Sequence, residues 1–169
     1  MLETEVTEAL TGRKQNATKE ITIHKYPYKM EIIRGSESFK PGLPYSITVK
    51  VSSQDDVPIN DPSLDALKVK HGFTYSHDEY ETTYHRIPPT GLVTLTFQPP
   101  NNESYHVLGI EATYKELTEW FPTVQRALSP SNTYLEASII TKNPKVNNSL
   151  LLFSYSTRNQ YFMGYVHTV

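Results

Sequence analysis

Apolar and polar residues alternate with period two in short runs along this chain, and no other feature limits the possible folds so strongly. In Tyr45-Ser46-Ile47-Thr48-Val49-Lys50-Val51 the odd positions are apolar and the even ones polar. An extended strand turns successive side chains to opposite faces, so this run puts one face on a core and the other in water. Further runs rich in Val, Ile, Thr and Tyr occupy 28–33, 66–73, 91–97, 107–114 and 133–140, and none keeps a helical period for three turns. Pro, Gly, Asn and Ser punctuate them. Pro41-Gly42 suits the centre of a type II turn, because Pro fixes the first φ and Gly accepts the positive second one. Pro99-Pro100-Asn101-Asn102 reads as an exposed turn. About seven strands between residues 26 and 128 predict an all-β fold, an antiparallel sandwich of the immunoglobulin-like or fibronectin-type-III-like kind.

Outside that span the pattern restarts. Tyr28-Lys29-Met30-Glu31-Ile32-Ile33 lies beside Tyr134-Leu135-Glu136-Ala137-Ser138-Ile139, and 45–51 beside 150–156, at an offset of about 106 residues, the size of one sandwich domain. A boundary is expected near Ser129-Pro130-Ser131. Residues 5–9 and 18–24 around Thr11-Gly12 read as the last hairpin of a preceding copy. The expected division is 1–24, 25–130 and 131–169, with only the middle unit complete and the flanks left with open strand edges.

Composition narrows the function. A net charge of -2 with 20% charged residues gives no electrostatic reason to expect nucleic acid as a partner. No apolar run approaches the roughly 18 residues that cross a bilayer, so no membrane insertion is expected. The first ten residues carry three Glu rather than a basic leader, so a secreted parent would make this an internal fragment. The chain has no Cys, which removes disulfides, thiolate metal sites and a cysteine nucleophile. Three N-x-[ST] sequons, at Asn16, Asn102 and Asn147, are glycosylation candidates and lean toward an extracellular location.

Candidate chemistry is sparse. His71, His77 and His85 fall within 15 residues of one another but lack the close pairing that anchors zinc ligands, and read as turn or surface histidines. Asp55, Asp56, Asn60, Asp61 and Asp65 are spaced too widely for a calcium loop and read as a polar connection. His77-Asp78 invites a catalytic reading, yet no nucleophile elbow or glycine-rich phosphate loop accompanies it. No catalytic residue, metal site or cofactor is expected. Most of the 12 Tyr read as core and strand-pair residues. Glu119-Trp120-Phe121-Pro122 is the segment expected to form a packed domain interface.

Three strings carry a family resemblance. Phe39-Lys40-Pro41-Gly42-Leu43-Pro44-Tyr45 followed by an alternating strand resembles the F-K-P-G-x-x-Y turn near the start of macroglobulin-like domains. Glu5-Val6-Thr7-Glu8-Ala9-Leu10-Thr11-Gly12-Arg13 with the Asn16 sequon resembles the end of the third such domain. Ser129-Pro130-Ser131-Asn132-Thr133-Tyr134-Leu135-Glu136 resembles the linker and first strand of the fifth. Lys142-Asn143-Pro144-Lys145-Val146 departs from the Pro-Gly pattern. The chain thus resembles the central macroglobulin-like domains of insect-type thioester-containing proteins, in the alpha-macroglobulin and complement family. The resemblance implies a secreted innate-immune parent, opsonin or protease trap, whose bait region or thioester responds to proteases or microbial surfaces. No Gly-Cys-Gly-Glu-Gln string lies here, so this segment would be non-enzymatic scaffold, partnered by neighbouring macroglobulin-like domains and displaying glycans. Two other readings belong to different classes. Fibronectin-type-III-like repeats of an adhesion receptor would be favoured by Arg-Gly-Asp, which is absent. A carbohydrate-binding module would need exposed aromatics in a row.

Overall fold

The computed structural model describes residues 2–102, 104–139, 149–157 and 160–168. Its strands are β1 (Leu2–Thr7), β2 (Lys14–Lys19), β3 (Tyr28–Arg34), β4 (Ser38–Phe39), β5 (Tyr45–Ser53), β6 (Leu67–Gly72), β7 (Glu81–His85), β8 (Leu92–Phe97), β9 (Val107–Tyr114), β10 (Leu117–Arg126), β11 (Tyr134–Ile139), β12 (Ser149–Thr157) and β13 (Gln160–Thr168). A single 3-10 turn, His77–Glu79, interrupts them among the described residues.

A three-stranded sheet, β3-β5-β8, and a five-stranded sheet, β4-β10-β9-β6-β7, make the central sandwich. Their pairings are antiparallel except for β4, which runs parallel to the end of β10 through Ser38 and Arg126's neighbour Gln125 and through Phe39 and Arg126. The chain therefore starts in one sheet as β3 and changes to the other as β4. This is a β-sandwich, as the alternating sequence requires.

The core follows from the pleat. Ile47, Val49 and Val51 of β5 meet Val93 and Leu95 of β8 on one inner face, and Leu67, Val69, Leu108, Ile110 and Ala112 supply the other. Each fully buried side chain of this size contributes roughly 1.5 to 3 kcal/mol through removal from water. Tyr28 closes one end: its hydroxyl donates to Glu116 Oε2 at 2.5 Å, and its ring packs edge-on to Tyr114 with centroids 4.9 Å apart. Central strand β9 is buried on both faces, with the outward-facing Glu111 only 8% exposed.

Two smaller sheets flank the sandwich. Strands β1 and β2 form an antiparallel pair, and every residue of β2 is exposed. Strands β11, β12 and β13 form an antiparallel three-stranded sheet. Tyr134 begins β11 as Tyr28 begins β3, and each of those strands then pairs antiparallel with the strand carrying the next aligned run, β12 and β5 respectively.

Four local expectations shift. The first hairpin returns at Lys14 rather than Thr18, because the Gly12 amide donates to Glu8 O at 2.9 Å with φ of +66° and closes the loop early. The run at 91–97 begins its strand at Leu92; Gly91 adopts φ of +68° and presses on Val51 O, which no Cβ could do. The run at 133–140 becomes β11, and residue 140 lies outside the described residues. The segment 119–122 falls inside strand β10: Trp120 is 52% exposed, Phe121 leans on the core, and a register irregularity between Phe121 and Val124 accommodates Pro122.

Candidate functional site: the junction at one pole of the sandwich

A packed junction lies at the turn 39–45. Phe39 is fully buried and meets Phe73 edge-on at 5.2 Å. Pro41 and Leu43 are also buried, and the Leu43 amide donates to Lys40 O at 3.1 Å across the Pro41-Gly42 centre. Gly42 takes φ of +73°, as a type II turn demands. Tyr45 returns its hydroxyl to Ser36 O at 2.7 Å and locks the excursion that carries the chain between sheets. Burial pushes that hydroxyl's pKa up, so it stays a donor.

This turn abuts the C-terminal sheet. A Cβ on Gly42 would run into Ser156 Oγ of β12 on one side and into Asn101 on the other. Lys40 donates to Leu135 O at 3.0 Å and lies 3.7 Å from the Glu136 carboxylate. From the linker side, buried Tyr134 donates to Ala127 O at 2.9 Å, and Arg126 Nη2 donates to Asn132 Oδ1 at 2.8 Å and to the Tyr134 hydroxyl at 3.5 Å. Asn132 turns the linker with φ of +50°. Side chain, backbone and turn thus fasten the sandwich to β11 and β12: the neutral bond from Tyr134 is worth about 1 kcal/mol net, and the bonds donated by the charged Lys40 and Arg126 side chains roughly 1 to 3 kcal/mol where they are shielded from water.

A second constellation covers the outer face of the five-stranded sheet. Gly72 and Gly109 stand directly opposite each other on β6 and β9. Together they leave a notch filled by the Tyr80 ring, since a Cβ at either position would overlap it. One turn earlier His77 stacks on Trp120 at 4.3 Å. The segment 74–80 is thereby strapped across β9, which explains the burial of that strand's outer face. Glu111 beneath it pairs with Lys70 at 3.8 Å.

The residues expected to read as bland do separate. His77 is exposed on the strap as expected, whereas His71 and His85 are partly buried residues of strands β6 and β7 rather than turn or surface histidines, and the three form no metal-holding group. Burial pushes the His71 and His85 pKa values down. Asp56 binds Lys29 at 2.9 Å and Lys50 at 3.2 Å, and these cations hold its carboxyl below the ordinary range. Asp61 accepts the Ser63 amide at 3.1 Å. Among the described residues no group of three His, Cys, Asp or Glu is placed to hold a metal. Asn16 is exposed on β2 opposite Glu5. Asn102 is exposed in the β8–β9 loop, its Oδ1 accepting the Ser104 amide at 2.9 Å. Asn147 lies outside the described residues.

Sequence reasoning found the turn but missed its neighbour across the junction, because nothing in residues 39–45 reports on contacts some 95 positions away. The glycine notch had a usable signal: two glycines inside strands mark a close approach.

The family model for the macroglobulin domain MG4 matches residues 30–129. The chain belongs to that family. The matched span coincides with the central sandwich, so the turn 39–45 and the strap are features of an MG4 domain. Among curated proteins, thioester-containing protein 1 of Anopheles gambiae is 26% identical over 161 residues in its S3 and R1 alleles, covering 94% of this chain. The chain spans 11% of the length of those relatives.

Proposed function

We propose that this chain is a non-catalytic scaffold segment of a secreted alpha-macroglobulin-family protein that takes part in innate defence. In this reading residues 25–130 are the complete fourth macroglobulin-like domain, 1–24 end the third and 131–169 begin the fifth. The observation that carries the scaffold role is the junction: Lys40, Gly42, Arg126 and Tyr134 fix the MG4 sandwich to the sheet after its linker. A fastened junction transmits the displacement of one module to the next, as a protein that responds to proteolysis requires. Asn16 and Asn102 are exposed, which suits them to carry glycans.

The parent chain supplies the test. Lys40→Ala combined with Tyr134→Phe is expected to leave secretion and the fold of 25–130 intact while reducing capture of a protease or retention on a microbial surface. Unchanged capture by a correctly secreted double variant would overturn the scaffold role. Methylamine incorporation at a Gly-Cys-Gly-Glu-Gln string in the parent would make the capture covalent; its absence would leave a non-covalent trap.

A further inference from the structure

The MG4 sandwich is open at the junction pole. The three-stranded sheet ends at β8 and the five-stranded sheet at β7, and His71 near the end of β6 meets Phe97 at the end of β8 across the sandwich. The gap is a cavity of about 510 Å³. Its walls mix aromatic rings with Thr74, Thr96 and Gln98: Phe97 is buried, His71 meets it edge-on at 4.7 Å, Phe73 stands on Phe39, and Tyr105 completes the lining.

Glu79 and Glu81 line the same cavity. Among the described residues neither makes an ion pair. His71 offers no compensating charge, because burial favours its neutral form. The cavity therefore carries at its solvent-exposed edge two carboxylates with no ion-pair partner among the described residues, beside its aromatic rings.

The strap makes this arrangement ordered in advance. Glu79 sits between His77, stacked on Trp120, and Tyr80, seated in the Gly72 and Gly109 notch. The Glu79 amide donates to Ser76 O and the Tyr80 amide to His77 O, both at 3.2 Å. Its backbone, held on both sides, loses little freedom on binding.

We infer that this cavity is a binding site for an arginine side chain presented by a basic segment of a partner polypeptide. A guanidinium stacks on aromatic faces while its N–H groups reach two carboxylates, which suits this lining better than the compact, strongly hydrated ammonium of lysine. An apolar side chain of equal length would leave both carboxylates without a counter-charge, and an acidic one would be repelled.

The test uses the 169-residue chain with three capped pentapeptides, Gly-Gly-Xaa-Gly-Gly, where Xaa is Arg, Lys or norleucine. Amide and aromatic NMR shifts are followed during titration. The Arg peptide is expected to shift His71, Phe73, Phe97 and Tyr105 saturably, with Lys weaker and norleucine without a saturable effect. The double variant Glu79→Gln, Glu81→Gln is expected to raise the Arg-peptide Kd about tenfold, and Tyr80→Ala, which frees the strap, to weaken binding with both carboxylates still present. Raising salt weakens binding to the wild type and has little effect on the double variant, a check independent of any folding defect. Equal binding of the norleucine peptide, shifts at another surface, or an Arg-peptide Kd untouched by both salt and the double substitution would each overturn the assignment.

Discussion

Strands β2 and β5 are both extended and both paired antiparallel, yet they differ in what pairing achieves. In β5, Tyr45, Ile47, Val49 and Val51 are buried in alternation. In β2, Lys14-Gln15-Asn16-Ala17-Thr18-Lys19 is exposed throughout. Its partner β1 brings Val6, 64% exposed, and the ion pair from Glu5 to Lys14 at 2.8 Å. Backbone hydrogen bonds are common to the two regions, so apolar burial is what distinguishes them. A two-stranded ribbon with no buried face is marginal in water, whereas the MG4 sandwich holds itself together.

Four perturbations sharpen that contrast, from the largest effect to the smallest. Phe39→Ala empties a fully buried site and should destabilise the sandwich by about 3 to 5 kcal/mol; thermal unfolding followed by circular dichroism reads it, and the hairpin β1–β2 should not respond. Gly109→Ala puts a methyl into the Tyr80 ring and should cost roughly 1 to 3 kcal/mol. Adding Tyr80→Ala should recover part of that loss, which a simple strand-propensity effect would not. Tyr134→Phe removes the bond to Ala127 O and should cost about 1 kcal/mol, appearing as faster hydrogen exchange in β11 with β5 unaffected.

The smallest effects are electrostatic and depend on pH. Glu116 has its carboxyl pKa lowered, first by the Tyr28 hydrogen bond, and Tyr28 is correspondingly raised, first by Glu116. The lowered acid contributes stability that is present above the unfolded carboxylate pKa and lost as pH falls through the folded one. The raised phenol contributes stability that is present below its unfolded pKa and lost as pH rises through the folded one. A plateau bounded by both ranges follows. Glu116→Gln should flatten its acid side and reduce its alkaline side, and Tyr28→Phe should flatten both, in melting profiles across pH. His71 and His85, lowered by burial, add a decline on acidification below the ordinary histidine range.

How much of this was legible in the sequence depends on the distance over which each feature is determined. The alternation in β5 and the Pro41-Gly42 turn are local, and both appear where the residues require them. Strand β10 was hidden because Glu119-Trp120-Phe121-Pro122 breaks alternation at a bulge. Strand β7, Glu81-Thr82-Thr83-Tyr84-His85, carries too few apolar residues to announce itself. Trp120 gains its neighbour His77 only through the strap, and Lys40 its acceptor only through the linker. The carboxylates of the polar cavity were equally unreadable, since Glu79 and Glu81 acquire aromatic company from strands distant in sequence.

Hydrogen exchange resolved to single amides tests the central claim most directly, that one self-sufficient sandwich is flanked by segments that depend on neighbours. Amides of 45–51 should be protected to the limit of global unfolding, while those of 2–7 and 14–19 should exchange orders of magnitude faster. Equal protection in the two regions would contradict the account.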